Sequence, residues 1–192
     1  MSGNHTSFFG KLTISMAIMV TISNFLVQYP VNYFGLSTIL TYGAFSYPIT
    51  FLITDLANRQ YGKTNARKVV YVGFFLGVIL TLFFSTNFKD LISVRIAIGS
   101  GTAFLMAQLL DIQVFDRLRK RAWFIAPLTS SLVGSFVDTT LFFFIAFYKT
   151  ELPWISLATG DFFVKILIFV LLFKALPSSV KLDARGSLDA KY

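Results

Sequence analysis

The chain contains no cysteine, so it can form neither a disulfide framework nor a thiolate metal site. It has a single histidine, His5, in the N-terminal tail, which leaves no basis for a zinc centre built from several imidazoles. There is no His–Glu zinc motif and no Gly-rich phosphate loop. Gly160-Asp161 lacks the glycine two positions earlier that an aspartyl intramembrane protease motif would carry, because position 158 is Ala. No nucleophile stands beside a base. These absences exclude the familiar enzyme chemistries, and neither catalysis nor a cofactor is expected.

Charge is also scarce, at 14% of residues, where soluble domains carry about 25%. What replaces it is apolar: 55% hydrophobic residues, 23 phenylalanines and a mean hydropathy of +0.70. A soluble fold of 192 residues would need more polar surface than this. The net charge of +8 does not point to nucleic acid, because the bases cluster beside apolar runs, where they act as topology signals.

A spanning helix needs about 20 mainly apolar residues. Six runs qualify, near 12–29, 36–58, 68–88, 92–115, 123–148 and 154–176. The first is long for a signal-peptide core and no small-residue cleavage motif follows it, so it is kept as a helix of the mature protein. Pro153 and Pro177 bracket the last run. Lys11, then Arg59, Lys63, Arg67 and Lys68, then Arg117, Arg119, Lys120 and Arg121, then Lys174, Lys181, Arg185 and Lys191 fall on one side. Lys89 and Lys149 fall on the other. The reading is an all-α integral membrane protein. Residues 1–176 form one domain, a compact bundle of six transmembrane helices with both termini cytoplasmic, and residues 177–192 form a polar tail.

Ionisable side chains at the bilayer centre cost about 2.5–3.5 kcal/mol on insertion scales and usually line a path or a site. In the fifth run Ser131, Gly134, Ser135 and Asp138 share one face. In the sixth, Asp161 and Lys165 are spaced as a favourable i,i+4 pair, structural or gating. The fourth places Gln108 and Asp111 on one face, with Arg95 near the outer end. Asp116 lies where it balances the interfacial bases. The first contributes Asn24 and Gln28, and a small-residue stripe of Thr13, Ala17 and Thr21 suited to close packing. In the second, Tyr47, Phe51, Asp55 and Asn58 share a face, and Pro48 should kink the helix or free a carbonyl. An aromatic row leading to a carboxylate suits a planar, donor-rich ligand.

Several stretches together resemble the bacterial queuosine-precursor transporter family, also called the vitamin-uptake-transporter-like family. They are Asn24-Phe25-Leu26-Val27-Gln28, Gly43-Ala44-Phe45-Ser46-Tyr47-Pro48, Thr54-Asp55, Tyr61-Gly62 and Ala66-Arg67. Further along come Arg95-Ile96-Ala97, Gln108-Leu109-Leu110-Asp111, Asp138-Thr139, and Asp161 with Lys165. The resemblance runs from about 23 to 174. It implies a multi-pass inner-membrane importer of 7-cyano-7-deazaguanine and its aminomethyl relative, small molecules that feed synthesis of the tRNA base queuosine. A guanine-like edge offers adjacent N–H donors to a carboxylate and an acceptor oxygen to an amide.

On that basis Asp138, Gln108 and Asn24 are the first candidates for polar substrate contacts, with Gln28, Asp55 and Arg95 behind them. Phe45 and Tyr47 are candidate stacking residues, and Asp161 and Lys165 a gating or structural pair. Asp55, close to the basic segment, is a candidate inner gate. Partners reduce to the substrate and the lipid bilayer, with a homodimer as a further expectation. The alternative is a substrate-capturing subunit of a larger energised importer, suggested by the small size and the stripe on the first helix.

Overall fold

A computed structural model describes residues 2–33, 35–38, 40–84, 91–121 and 124–175. The predicted tail 177–192 lies outside the described residues, as do Lys89, Trp123 and the side chain of His5. The elements are α1 (Ser2–Leu26), a 3-10 turn (Leu36–Thr38), α2 (Gly43–Phe84), α3 (Leu91–Leu118), α4 (Ile125–Phe147) and α5 (Trp154–Ala175). Among the described residues, five helices are long and apolar enough to cross a membrane. Among the described residues the extended pairing is a single antiparallel bridge, Pro30 to Thr41, that folds the α1–α2 connection back on itself.

The six expected runs map onto five helices because the second and third merge into α2, 42 residues long. The basic segment around Arg59 to Lys68 is helical, where a loop was expected. The one residue with non-helical dihedrals inside α2 is Gly62, at φ 78° and ψ 171°. Side chains other than hydrogen strongly disfavour that region, so a glycine is needed there. Pro48 sits near the start of α2 without such a break.

Asn24 reveals what the break does. Its Oδ1 accepts from the Tyr47 hydroxyl at 2.9 Å, and its Nδ2 donates to Thr81 at 3.2 Å. On a straight helix Tyr47 and Thr81 would be about 51 Å apart. Both reach one side chain, so the two halves of α2 fold back on each other at Gly62.

The second half of α2 packs on α1 through Gly73 and Gly77, the small-xxx-small spacing that lets membrane helices approach closely. A Cβ on Gly73 would stand 2.5 Å from Met16 Cγ and 3.3 Å from the Thr13 carbonyl oxygen. A Cβ on Gly77 would stand 2.7 Å from Val20 Cγ1 and 3.3 Å from the Ala17 oxygen. The expected stripe on α1 is therefore used inside the chain. Met16, Val20, Ile53, Ala57, Val69, Val70, Phe104 and Ile112 fill this layer. A second layer joins α3, α4 and α5 through Ile96, Ala103, Phe142, Phe143, Ala146 and Leu157.

The two ends of the bundle differ. At one, the basic segments meet: Lys63 lies 4.0 Å and Arg119 3.2 Å from Asp116. Arg119 also donates to Asn58 at its carbonyl, 3.0 Å, and at Oδ1, 2.6 Å. The Arg59 and Arg119 guanidinium groups each lie 5.7 Å from the centre of the Phe115 ring. Asp116 thus balances interfacial bases. At the other end, Arg95 reaches the Ile145 and Tyr148 carbonyls at the close of α4.

Candidate functional site

The most unusual feature lies mid-bundle between α4, α5 and the first half of α2. Asp138, Asp161 and Lys165 are each at most 3% exposed. Lys165 Nζ lies 2.9 Å from Asp138 Oδ2 and 2.6 Å from Asp161 Oδ2, and donates to the Thr139 hydroxyl at 3.0 Å. Those three contacts use all the donors of an ammonium group. Thr139 in turn donates to Asp161 at 2.7 Å. Asp161 and Lys165 are brought together by the helical i,i+4 spacing of α5. Asp138 and Thr139 come from the inward face of α4, which is buried at Ser131, Gly134, Ser135, Asp138 and Thr139. Asp138 stands about 20 Å from the start of α4 and about 14 Å from its end, near the middle of a span.

Tyr47 closes this triad on the α2 side. Its ring faces the Lys165 ammonium at 4.9 Å from the centroid, within cation–π range. Its hydroxyl bonds Asn24, tying the triad to α1 and, through Thr81, to the second half of α2. Ser23 donates to Ser46 at 2.8 Å beside it. Four elements thus contribute polar groups to one buried chain, Asn24–Tyr47–Lys165–Asp138–Asp161. A buried charge is tolerated only when paired and hydrogen-bonded, and here each is.

A second polar level lies about two helical turns along α2. Gln108 is fully buried; its amide donates to Thr50 at 2.9 Å and accepts from Thr54 at 2.5 Å. Asp55 accepts from Ser130 at 3.3 Å and Ser131 at 3.2 Å. Phe51 separates the levels. Its ring packs on Gly134, where a Cβ would come within 2.5 Å of it, and against Phe169 at 5.9 Å between centroids.

Of the sequence-derived candidates, Asn24, Tyr47, Asp138, Asp161 and Lys165 converge. Asp55 and Gln108 belong to the second level. Gln28 is exposed and donates to the Asn24 carbonyl at 3.1 Å. Phe45 is 45% exposed, on a face of α2 about 200° from Tyr47. Arg95 binds the end of α4, away from both levels. Sequence reasoning missed Thr139, which completes the triad, and Thr50 and Thr54, which clamp Gln108. A hydroxyl at i+1 of a buried acid, or at i−4 of another hydroxyl facing a glutamine, is too common a pattern to stand out. It also missed the spacing of Gly73 and Gly77, which was legible. Among the described residues no three His, Cys, Asp or Glu side chains are grouped to hold a metal ion.

Charged side chains buried among helices of spanning length usually line a path or a site. Residues 41–177 match the family model described as "Putative vitamin uptake transporter". The chain is 35% identical over 181 residues to the "Queuosine precursor transporter" of Escherichia coli (strain K12), covering 84% of this chain and 81% of that protein. It is 35% identical over 184 residues to the "Probable queuosine precursor transporter" of Haemophilus influenzae, covering 81% and 78%. The corresponding protein of Bacillus subtilis (strain 168) is 28% identical over 186 residues, covering 83% and 80%. No solved structure matches. The chain belongs to this family of multi-pass membrane transporters, and it is not an enzyme.

Proposed function

We propose that this protein carries a queuosine precursor, 7-cyano-7-deazaguanine or 7-aminomethyl-7-deazaguanine, across the bacterial inner membrane. The observation that carries the reading is the buried triad of Asp138, Asp161 and Lys165 meeting Tyr47 and Asn24, in a chain of this family. Asp138 has one oxygen on Lys165 and one free to accept an N–H of a guanine-like edge, and it can accept the paired N–H donors on both oxygens once it releases Lys165. Tyr47 offers its ring for stacking and Asn24 an amide for the ring carbonyl. Asp161 keeps Lys165 in place when Asp138 turns to substrate.

The same reading gives six crossings, not five. A helix of 42 residues measures about 63 Å, twice the hydrocarbon thickness of about 30 Å, and Gly62 folds it into a hairpin. The bases around that hairpin and after α3 then lie in the cytoplasm, with both termini. The alternative, a capture subunit of a larger importer, is less well supported, because the α1 stripe that would dock a partner packs instead on Gly73 and Gly77. A dimer remains part of the proposal only as an assembly of complete bundles.

The test is binding of the two deazaguanines to purified protein, with guanine as control, followed by uptake into liposomes holding this protein alone. Binding of a precursor, and its abolition in Asp138→Asn with membrane insertion intact, is the expected result. Equal binding of guanine, or uptake unchanged in Asp138→Asn, overturns the assignment. An absolute need for a second protein would favour the capture-subunit reading.

A further inference from the structure

The second polar level holds a carboxylate that the substrate reading does not use. Asp111 of α3 is 0% exposed and Asp55 of α2 is 4% exposed. Asp55 is held by Ser130 and Ser131 from α4. The Asp111 carboxyl interacts with Asp55 and points toward Ser130, yet no hydrogen bond of ordinary geometry reaches either of its oxygens. Ser135, one turn from Ser131 on the same face of α4, is also fully buried, and its hydroxyl has no partner. Buried polar groups are nearly always satisfied, so the unpartnered Asp111 carboxyl beside Asp55 calls for a ligand.

The charges around the pair define that ligand. From α2, Arg59 interacts with Asp55. From α3, Arg119 lies beyond and is committed to Asn58 and Asp116. From α4 come the hydroxyls of Ser130 and Ser131, and from α5 Phe169 packs on the Phe51 ring, one turn from Asp55. Lys165 is engaged in the triad, across Phe51. Two carboxylates facing one guanidinium leave a single negative charge in a dry interior, which is costly without a counter-charge. The donors are all oxygen, the set that suits hard cations.

We propose that the Asp55–Asp111 pair is a second site, which binds one monovalent cation, a proton or a sodium ion, and couples its passage to that of the substrate. The coupling part rests on the transporter reading above; the binding part does not. The two sites share their walls: α2 carries Tyr47 and Asp55, and α4 carries Asp138 and Ser131. Filling one site therefore biases the other through the same two helices, and the effect is reciprocal.

Cation binding is tested first, without substrate. If the cation is a proton, infrared spectra of the reconstituted protein show a protonated-carboxyl C=O band that Asp111→Asn removes. If it is sodium, the melting temperature rises with sodium chloride but not choline chloride, and Asp111→Asn loses the rise. Asp55→Asn gives the same loss, and Ser131→Ala, which keeps both carboxylates, weakens it. Neither signature in the folded wild type overturns the site. Coupling is then tested in liposomes: an inward gradient of that cation should drive precursor above its external concentration, and Asp111→Asn should only equilibrate it, with a precursor Kd that no longer responds to the cation's concentration. Precursor uptake indifferent to both gradients overturns the coupling and leaves the transporter reading standing. Failure of the wild type to bind any precursor overturns the transporter reading, with coupling to that substrate, and leaves cation binding to its own measurements.

Discussion

Replacing Lys165 by methionine keeps the length of the side chain and removes its charge. Two carboxylates, each at most 3% exposed, then face one another with no ammonium between them. Lys165 makes contacts of 2.9 Å and 2.6 Å to them and a third to Thr139, and all three are lost together. Removing one partner of a buried ion pair costs about 3–5 kcal/mol. For a chain of this length each kcal/mol moves Tm by about 2–4 °C, so Lys165→Met should lower it by roughly 6–20 °C. The assay is thermal unfolding of the detergent-solubilised protein, followed by the loss of a monodisperse elution peak. Adding Asp161→Asn to Lys165→Met removes one stranded charge and should recover part of the loss, because residues in one network do not add. The fully neutral set, Asp138→Asn, Asp161→Asn and Lys165→Met, should recover more stability yet bind no precursor. A Lys165→Met protein as stable as the wild type, or one further destabilised by Asp161→Asn, would refute the pairing.

The other expectations are independent of that one. Asn24→Ala removes two interhelical hydrogen bonds, each worth about 0.6 kcal/mol in membranes; stability should fall by only about 1 kcal/mol while precursor affinity falls at least tenfold in a binding titration. Arg95→Ala frees the Ile145 and Tyr148 carbonyls; Tm should drop while the Kd for precursor stays unchanged. Gly73→Leu should separate α1 from α2, since the nearest atoms include Met16 Cβ and a backbone oxygen; a normal Tm would contradict that packing. The absence of cysteine makes single-cysteine labelling clean: an impermeant maleimide applied to intact cells lacking an outer barrier should label Lys149→Cys and spare Lys63→Cys, and the reverse pattern would invert the topology.

The membrane class and most of the helices were legible because lipid demands long apolar runs, a signal carried by composition itself. That Asp138, Asp161 and Lys165 are polar exceptions within apolar helices was legible for the same reason: charge inside such a run stands out. Their union was not. An i,i+4 spacing links Asp161 to Lys165 within α5, but nothing local tells that α4 delivers Asp138 to the same ammonium. Phe45 and Tyr47 read alike in sequence, and only the rotation of α2 sends one inward and the other out. Arg95 read as a ligand group because it is charged within an apolar run; the end of α4, with carbonyls unpaired by the helix itself, claims it. Gly62 carried the least signal. A lone glycine in a polar segment suggests a loop, whereas here helix continues to both sides and the turn is made at one residue.

The spacing of the two polar levels limits how this bundle can work. Tyr47, Phe51 and Asp55 follow one another at single turns on the same face of α2, and Ser131, Gly134 and Asp138 do so on α4. Phe51, 1% exposed, fills the gap left by Gly134 and rests on Phe169. Phe51 stands between Tyr47 and Asp55 on that face, so a ligand leaving the triad along it must displace the ring or move α2 relative to α4. Interiors this closely packed shift between discrete arrangements and do not deform gradually. Glycine at 134 sets how near the two helices can come in the arrangement seen here. A larger residue there would meet the Phe51 ring and, at 3.3 Å from its Cβ, the Asp111 Cβ, so it would hold α2 and α3 away from α4 and favour whichever arrangement has the ring withdrawn.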